Sequence, residues 1–465
     1  MRARFIQHAW AWRRHLQNVV AVLVAGSLVG GCVLAPREAK TEQSAVRAAG
    51  APYSRPFEKR QLPDLPERPK WREVLRRALL ANGELEAAYF EWAASVARID
   101  QAGGYPNTAL SLDFEQMIEG GTFVGDTTVT VGADPMESLA FPPKIYQAGK
   151  VATDDARAAG KRFQAKKLDV QRQVLSAWVD YALLAERLRI QQQNLTLLKL
   201  INDTAVARVQ AGAQQQDLLR AEVEYRRAEN ELRGMEAEQP QTRAMLNAML
   251  GRAPDAALAP PDQLPAPRDV PVDDAQLLAL AAENNPELAD LALQVKGRRD
   301  ALELARLQLI PDFNPFAGFT GDVSQFVGLG LSIPTFQPAM YGMVKEARAD
   351  LRRMQAMYRQ AKFDRAARVV AALYSIRNSE RQADLFEGSI VPAAERIVDN
   401  TRQAYAAGTG SFLDLVEAQR TLLEVRLTAA EARAAREKGV AELESLIGNE
   451  INPSAATREG GSHDH

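Results

Sequence analysis

The chain states one layout twice, and that repetition constrains its fold more than any other feature. Asn82-Gly83-Glu84-Leu85 returns as Asn285-Pro286-Glu287-Leu288, the proline at Pro106 returns at Pro311, Asp217 at Asp414 and Gly251 at Gly448. The separations are 203, 205, 197 and 197 residues. Spacing this constant over four landmarks marks a tandem repeat whose copies share one supersecondary layout. The repeats are expected over residues 71–251 and 274–450, joined by a linker over 252–273 that holds six prolines and reads as extended.

Each repeat is dominated by helix. From Lys144 to Gln210 no proline occurs in 67 residues. At 1.5 Å per residue that stretch makes a rod of roughly 100 Å. Val174, Ala177, Tyr181, Leu184, Leu188, Leu195 and Leu198 recur at alternating steps of three and four, with Gln191 interrupting them. The spacing is that of a heptad seam. Aromatic residues make up only 6% of the chain, as suits long helices more than an ordinary globular core. With a net charge of -2 and both signs interleaved along the helices, the chain offers no basic surface for nucleic acid.

Short strands interrupt the helices. Leu110, Leu112 and Phe114 alternate with Ser111, Asp113 and Glu115; Val129 and Val131 alternate with Thr128 and Thr130. In the second repeat Val327, Leu329, Leu331 and Ile333 alternate with Gly328, Gly330 and Ser332. A period of two gives one apolar face and one small or polar face. Gly-rich loops over 119–125 and 320–326 join the strands in pairs. About four strands are expected, too few to close a barrel. Either the sheet is a soluble surface, or several copies close one barrel together.

The N-terminus carries an address. Arg2, Arg4, Arg13 and Arg14 precede an apolar run from Val19 to Val29, and Gly30-Gly31-Cys32 follows. The run has the length of a signal-peptide core and is too short for a stable bilayer span. Cys32 is the only cysteine, which rules out a disulfide framework or a thiolate metal cage. Val29-Gly30-Gly31-Cys32 resembles the bacterial lipobox. Residues 1–31 are therefore expected to be a lipoprotein signal peptide, and 32–70 a lipid-anchored linker starting at an acylated Cys32. By the rule for such lipoproteins, the absence of Asp at position 33 implies the outer membrane.

Together these features resemble the TolC-type outer-membrane efflux proteins. The resemblance covers roughly residues 71–449 and is carried most specifically by the turns Gly212 to Ala221 and Gly408 to Ala418. Tyr405-Ala406-Ala407-Gly408 leading into Leu413-Asp414, and Ser332-Ile333-Pro334-Thr335-Phe336, add to it. Leu139-Ala140-Phe141-Pro142-Pro143-Lys144 is similar to the strand-to-helix crossing of the heavy-metal efflux branch, the CzcC and CusC type, but departs from it where Gly-Gly-Lys is usual. The resemblance implies a mainly α protein with a small membrane β-region, a homotrimer whose 12-stranded β-barrel continues as a 12-helix α-barrel. It implies passive conduction across periplasm and outer membrane, with a periplasmic adaptor and an inner-membrane pump of the RND type as partners. The hairpin tips at Gly212, Asp217, Gly408 and Gly410 would meet the adaptor, and Asp414 and Glu417 would ring the periplasmic aperture. Pro392 would break a helix partway, at the family's equatorial belt. The alternative is a lipid-anchored periplasmic coiled-coil scaffold or adaptor, which gives no reason for the duplication.

No enzyme is expected. His8 and His15 lie in the signal segment, and His463 and His465 lie at the far end, so no Ser-His-Asp or Cys-His arrangement can be built in the body. Neither a cofactor nor a metal site is expected. The tail over 451–465 reads as disordered despite its two histidines. Met340 with Met343 and Met354 with Met357 read as gap-filling side chains in helical contacts. Asp414 and Glu417 stand three apart and so share a helix face. At threefold symmetry they would set six carboxylates around one constriction.

Overall fold

A computed structural model describes residue 34, 36–105 and 140–451, apart from 263, 265, 269, 271–272, 334, 336 and the loop 321–323. Between 105 and 140 it describes four strand segments, 109–115, 118–119, 122–123 and 128–134. The signal segment with Cys32, and the tail with His463 and His465, lie outside the described residues.

The elements follow one another as α1 (Arg37–Ala49), α2 (Trp71–Ala81), α3 (Gly83–Ala102), β1 (Ala109–Glu115), β2 (Ile118–Glu119), β3 (Thr122–Phe123), β4 (Thr128–Asp134), α4 (Pro142–Gln210) and α5 (Gln215–Met249). Then come α6 (Asp274–Asn284), α7 (Pro286–Leu307), β5 (Asp312–Thr320), β6 (Ser324–Ser332), α8 (Gln337–Leu385), a π-turn (Phe386–Ile390), α9 (Val391–Ala406) and α10 (Phe412–Ile447). Contacts divide the chain into two units. The first holds residues 1–51, 89–161 and 290–359, and the second holds 52–88, 162–289 and 360–465.

The first unit contains the sheet. Its order is β1-β4-β5-β6, antiparallel throughout, so β1 and β6 are open edges. Leu112 pairs with Val131 and Val131 with Phe319, whose partner on β6 is Gln325; on the same face Phe313 pairs with Leu331, Pro315 with Leu329 and Ala317 with Val327, so the register keeps this face mostly apolar. The alternate row holds positions such as Thr130, Thr320 and Ser324. Pro315 has no N–H to give, and the β4 ladder reaches only 317–320 on β5, which frees that side of the proline. Phe313, Leu329, Leu331 and Ile333 are exposed apolar side chains, Leu329 by 67%. The Phe316 ring lies over Gly328, filling the space a side chain would occupy. The β2–β3 ribbon sits where a plain loop is expected.

Where the sheet meets the helices, Lys144 is buried and donates from Nζ to Asp312 Oδ1 at 2.8 Å and to the Ile310 carbonyl at 2.6 Å. Phe141 N donates to the same Asp312 oxygen at 3.0 Å. One lysine thus ties the start of α4 to the start of β5. Where a bare linker is expected, residues 37–49 form a 13-residue helix. Gln43 of that helix reaches Asp100 at 3.2 Å, and Glu42 pairs with Arg157 at 3.9 Å.

The second unit contains most of the core. Val74 and Ala78 of α2 pack with Val174, Trp178 and Tyr181 of α4 and with Leu246 of α5. Leu277 and Ala281 of α6 pack in the same way with Val369, Leu373 and Ile376 of α8 and with Val440 and Leu443 of α10. The Asn-X-Glu-Leu signatures mark joints between helices. Asn82 Oδ1 accepts from Leu85 N at 2.8 Å, and Asn285 Oδ1 accepts from Leu288 N at 2.9 Å, so each asparagine caps the helix it begins. The proline-rich linker is tied down at several points. The buried Tyr181 hydroxyl donates to the Leu258 carbonyl at 2.8 Å.

One expectation is corrected. Pro392 does not break its helix. The chain passes from α8 to α9 through the π-turn, in which Val391 N donates to the Phe386 carbonyl five residues back. This wider turn accommodates the proline, whose ring would otherwise clash with the carbonyl four residues earlier.

Candidate functional site

The two helical turns singled out by sequence come together in the second unit. The first runs from Gln210 to Gln215 and the second from Ala406 to Phe412. Gly212 has φ +97° and Gly408 φ +81°, left-handed values at which a side chain is strained. Gly410 is held for a different reason. A Cβ there would stand 2.9 Å from the Tyr405 nitrogen and 2.9 Å from the Ala404 side chain. Thr409 N and Gly410 N both donate to the Ala404 carbonyl at 3.0 Å, which closes the turn. Ser411 then caps α10, its hydroxyl accepting from Leu413 N at 3.1 Å.

Tyr405 joins the two turns. It is fully buried, and its ring meets Phe412 edge-on at 5.5 Å between centroids. The Arg208 guanidinium lies 4.2 Å from the Tyr405 centroid, and the hydroxyl donates to Asp217 Oδ2 at 3.4 Å. Burial pushes the Tyr405 hydroxyl up from its ordinary value, the Asp217 charge adds to the shift, and Arg208 opposes it. Arg208 and Asp217 line an open cleft of about 440 Å³, together with Gly212, Gln214, Arg220, Gly410 and Leu413 among others. Three of the four expected tip residues, Gly212, Asp217 and Gly410, therefore line one cleft, while Gly408 shapes the turn beside it. Arg208 was not singled out by sequence, and a lone arginine near a helix end carries no signal that would find it.

Asp414 and Glu417 lie outside this cleft, exposed on the first two turns of α10. Arg420, one turn further on, pairs with Glu224 of α5, and the nearby Glu417 charge adds to the pull that raises its pKa. Met354 is buried while Met357 is exposed, with its sulfur accepting from Arg353 at 3.7 Å. Among the described residues no group of three His, Cys, Asp or Glu is placed to hold a metal, and no helix is long and apolar enough to cross a membrane.

Residues 277–449 match the family model described as outer membrane efflux protein. The chain is 25% identical over 271 residues to the cobalt-zinc-cadmium resistance protein CzcC of Cupriavidus metallidurans; the match takes in 56% of this chain and spans 63% of that relative's length. Among solved structures it resembles the outer membrane protein VceC of Vibrio cholerae, with a TM-score of 0.71 and 17% identity over 82% of this chain and 97% of that one. It also resembles CusC, whose structures describe transmembrane channel formation, with a TM-score of 0.73 and 15% identity over 82% of this chain and 92% of that one. At those identities the likeness is one of fold, while the family match rests on residues 277–449 alone. Over residues 277–449 the chain is thus similar to outer membrane efflux proteins, and its fold is similar to those of the outer membrane protein VceC and of CusC.

Proposed function

We propose that three copies of this chain form an export conduit through the outer membrane, lipid-anchored at Cys32 and continued by long helices into the periplasm. The observation that carries this reading is the four-stranded sheet with two open edges and an exposed apolar face at Phe313, Leu329 and Leu331. In lipid each unpaired edge group costs several kcal/mol, which forbids the sheet alone. Pairing β6 of one copy with β1 of the next removes every edge and gives twelve strands with apolar residues facing lipid. The helices support the same assembly. Between Pro338 and Arg368 only Met354 of α8 is buried, so a single chain leaves that helix almost bare.

The conduit does no chemistry of its own. Its cleft between the helical turns is the docking point for an adaptor, and an inner-membrane pump of the RND type supplies the energy. The kinship with CzcC makes divalent transition-metal ions the first cargo to test. The coiled-coil scaffold alternative leaves the exposed sheet face and its edges without a role.

Mass measurement of the membrane-extracted protein in mild detergent should give three chains, each starting at an acylated Cys32, and the same preparation should conduct in a planar bilayer. A folded monomer that conducts, or an unmodified chain that reaches the outer membrane normally, would overturn the corresponding half of the proposal.

A further inference from the structure

Within the first unit, two buried carboxyl groups face each other across α4 and α7 with too few donors. Asp154 is 2% exposed and Asp300 8%. Each gives one oxygen to a lysine on the facing helix. Lys296 Nζ donates to Asp154 Oδ1 at 2.7 Å, and Lys150 Nζ donates to Asp300 Oδ1 at 3.1 Å. Gln147 adds a bond to the same Asp300 oxygen at 3.2 Å and another to the Asp300 carbonyl at 2.9 Å. The second oxygen of each, Asp154 Oδ2 and Asp300 Oδ2, is buried without any donor. Yet the two carboxyls lie within hydrogen-bonding reach of one another. Two ionised carboxylates in that position would leave both oxygens desolvated and mutually repelling. One proton between them satisfies both.

We propose that Asp154 and Asp300 are a built proton site, an acid–carboxylate pair that holds a single shared proton and pins α4 to α7. The charged groups around it are Lys150 on α4 and Lys296 on α7; Asp155 faces Gly297 across the same joint. On α1, which contacts the same stretch of α4, Glu42 turns to Arg157. The two lysines set which partner keeps the proton. Burial pushes the Asp154 carboxyl up from its ordinary value, Lys296 opposes this, and Asp300 adds to it. Burial also pushes Asp300 up, but the Lys150 and Gln147 donors outweigh it and hold that group below its ordinary value. Asp154 is thus the acid and Asp300 the carboxylate.

The sign follows from each shift. The raised Asp154 contributes stability that is complete at low pH and is lost as pH rises through its folded value. The depressed Asp300 contributes stability that is present at higher pH and is lost as pH falls through its own low value. The joint is therefore tightest between the two and loosens on the alkaline side when the shared proton leaves. A change of external pH would then reach the helices beside the sheet through this pair, independently of how the chain assembles.

The test is hydrogen exchange on the detergent-solubilised full chain, read on peptides covering 147–158 and 293–304 and corrected for the intrinsic pH dependence of exchange. Wild-type protection should fall by up to about tenfold per pH unit while Asp154 is protonated in the closed joint and ionised in the open one, since one proton is then lost on opening. Asp154→Asn keeps a donor in place of the proton, and its protection should not vary with pH. A wild type that is flat at every pH above the ordinary carboxylate value of about 4, or an Asp154→Asn protein that follows the wild type, would overturn the site. Infrared spectra give a second reading that needs no protection data. The protonated-carboxyl band that the wild type keeps above the ordinary carboxylate range should be lost in Asp154→Asn; an undiminished band there places the proton elsewhere.

Discussion

Arg268 shows how much one residue of an apparently featureless linker can hold. Its guanidinium donates to Glu437 at 3.2 Å and to Glu444 at 2.7 Å, two carboxylates that are almost wholly buried on α10. Arg436 completes the group through Glu437 at 2.8 Å, Glu380 at 3.1 Å and the Arg268 carbonyl at 2.8 Å. Burial pushes the Glu444 carboxyl up, and Arg268 holds it back. Arg268→Met removes that restraint and strands buried charge, a loss of about 3–5 kcal/mol. The raised Glu444 value means that its contribution is complete at low pH and is lost as pH rises through the folded value. Without Arg268 that value climbs further, so the deficit should be largest in alkali and should shrink on acidification. Thermal unfolding at two pH values decides it, and an equal deficit at both would show that the latch is not electrostatic. At this scale sequence reading marked the six prolines and passed over the arginine between them. Nothing in local order tells that Arg268 lies beside residues about 170 positions away.

Prolines show the same limit in whole elements. Pro240 stands inside α5, which runs on to Met249, and Pro392 stands in the first turn of α9 behind the π-turn. A rule based on proline alone would end both helices. The π-turn adds one residue to the helical path, so removing one should restore an α-helix with the flanking phase kept. Deleting Gly388 together with Pro392→Ala is therefore expected to leave α9 packed on α10 and stability nearly unchanged. Deleting Gly388 alone returns the proline ring to a carbonyl and should cost about 3 kcal/mol. Thermal unfolding of the two variants compares them; equal stabilities would mean that the turn does not serve the proline. The strands were legible by their period of two because one face is mostly apolar. The β2–β3 ribbon was not, since two-residue strands are too short to show any period.

For the whole molecule, the reading of Asp414 and Glu417 depends on symmetry that one chain does not contain. Both are exposed, three residues apart, on the end of α10 that follows the second turn. In the proposed trimer they meet their copies, and like charges crowded at a constriction attract cations in a way that salt weakens. Asp414→Asn with Glu417→Gln should therefore lower cation selectivity in a planar bilayer and weaken block by multivalent cations. Asp217→Asn should leave selectivity alone, because that carboxylate is engaged by the Tyr405 hydroxyl in the cleft. Unchanged selectivity in the double variant would remove the aperture assignment and leave the conduit standing on its sheet.

Sequence by itself determined the long helices, the alternating strands and the positions of both turns. Each of these is written in local order, as a period, a spacing or a glycine that must take a positive φ. Tertiary structure alone decided which separated residues share a site. It brought Tyr405 between Arg208 and Asp217, fastened Arg268 to α10 and set Asp154 against Asp300. Those pairings depend on how helices far apart in the chain lie side by side. Burial then gives them their chemistry, because removal from water makes a missing donor or an unshared proton costly.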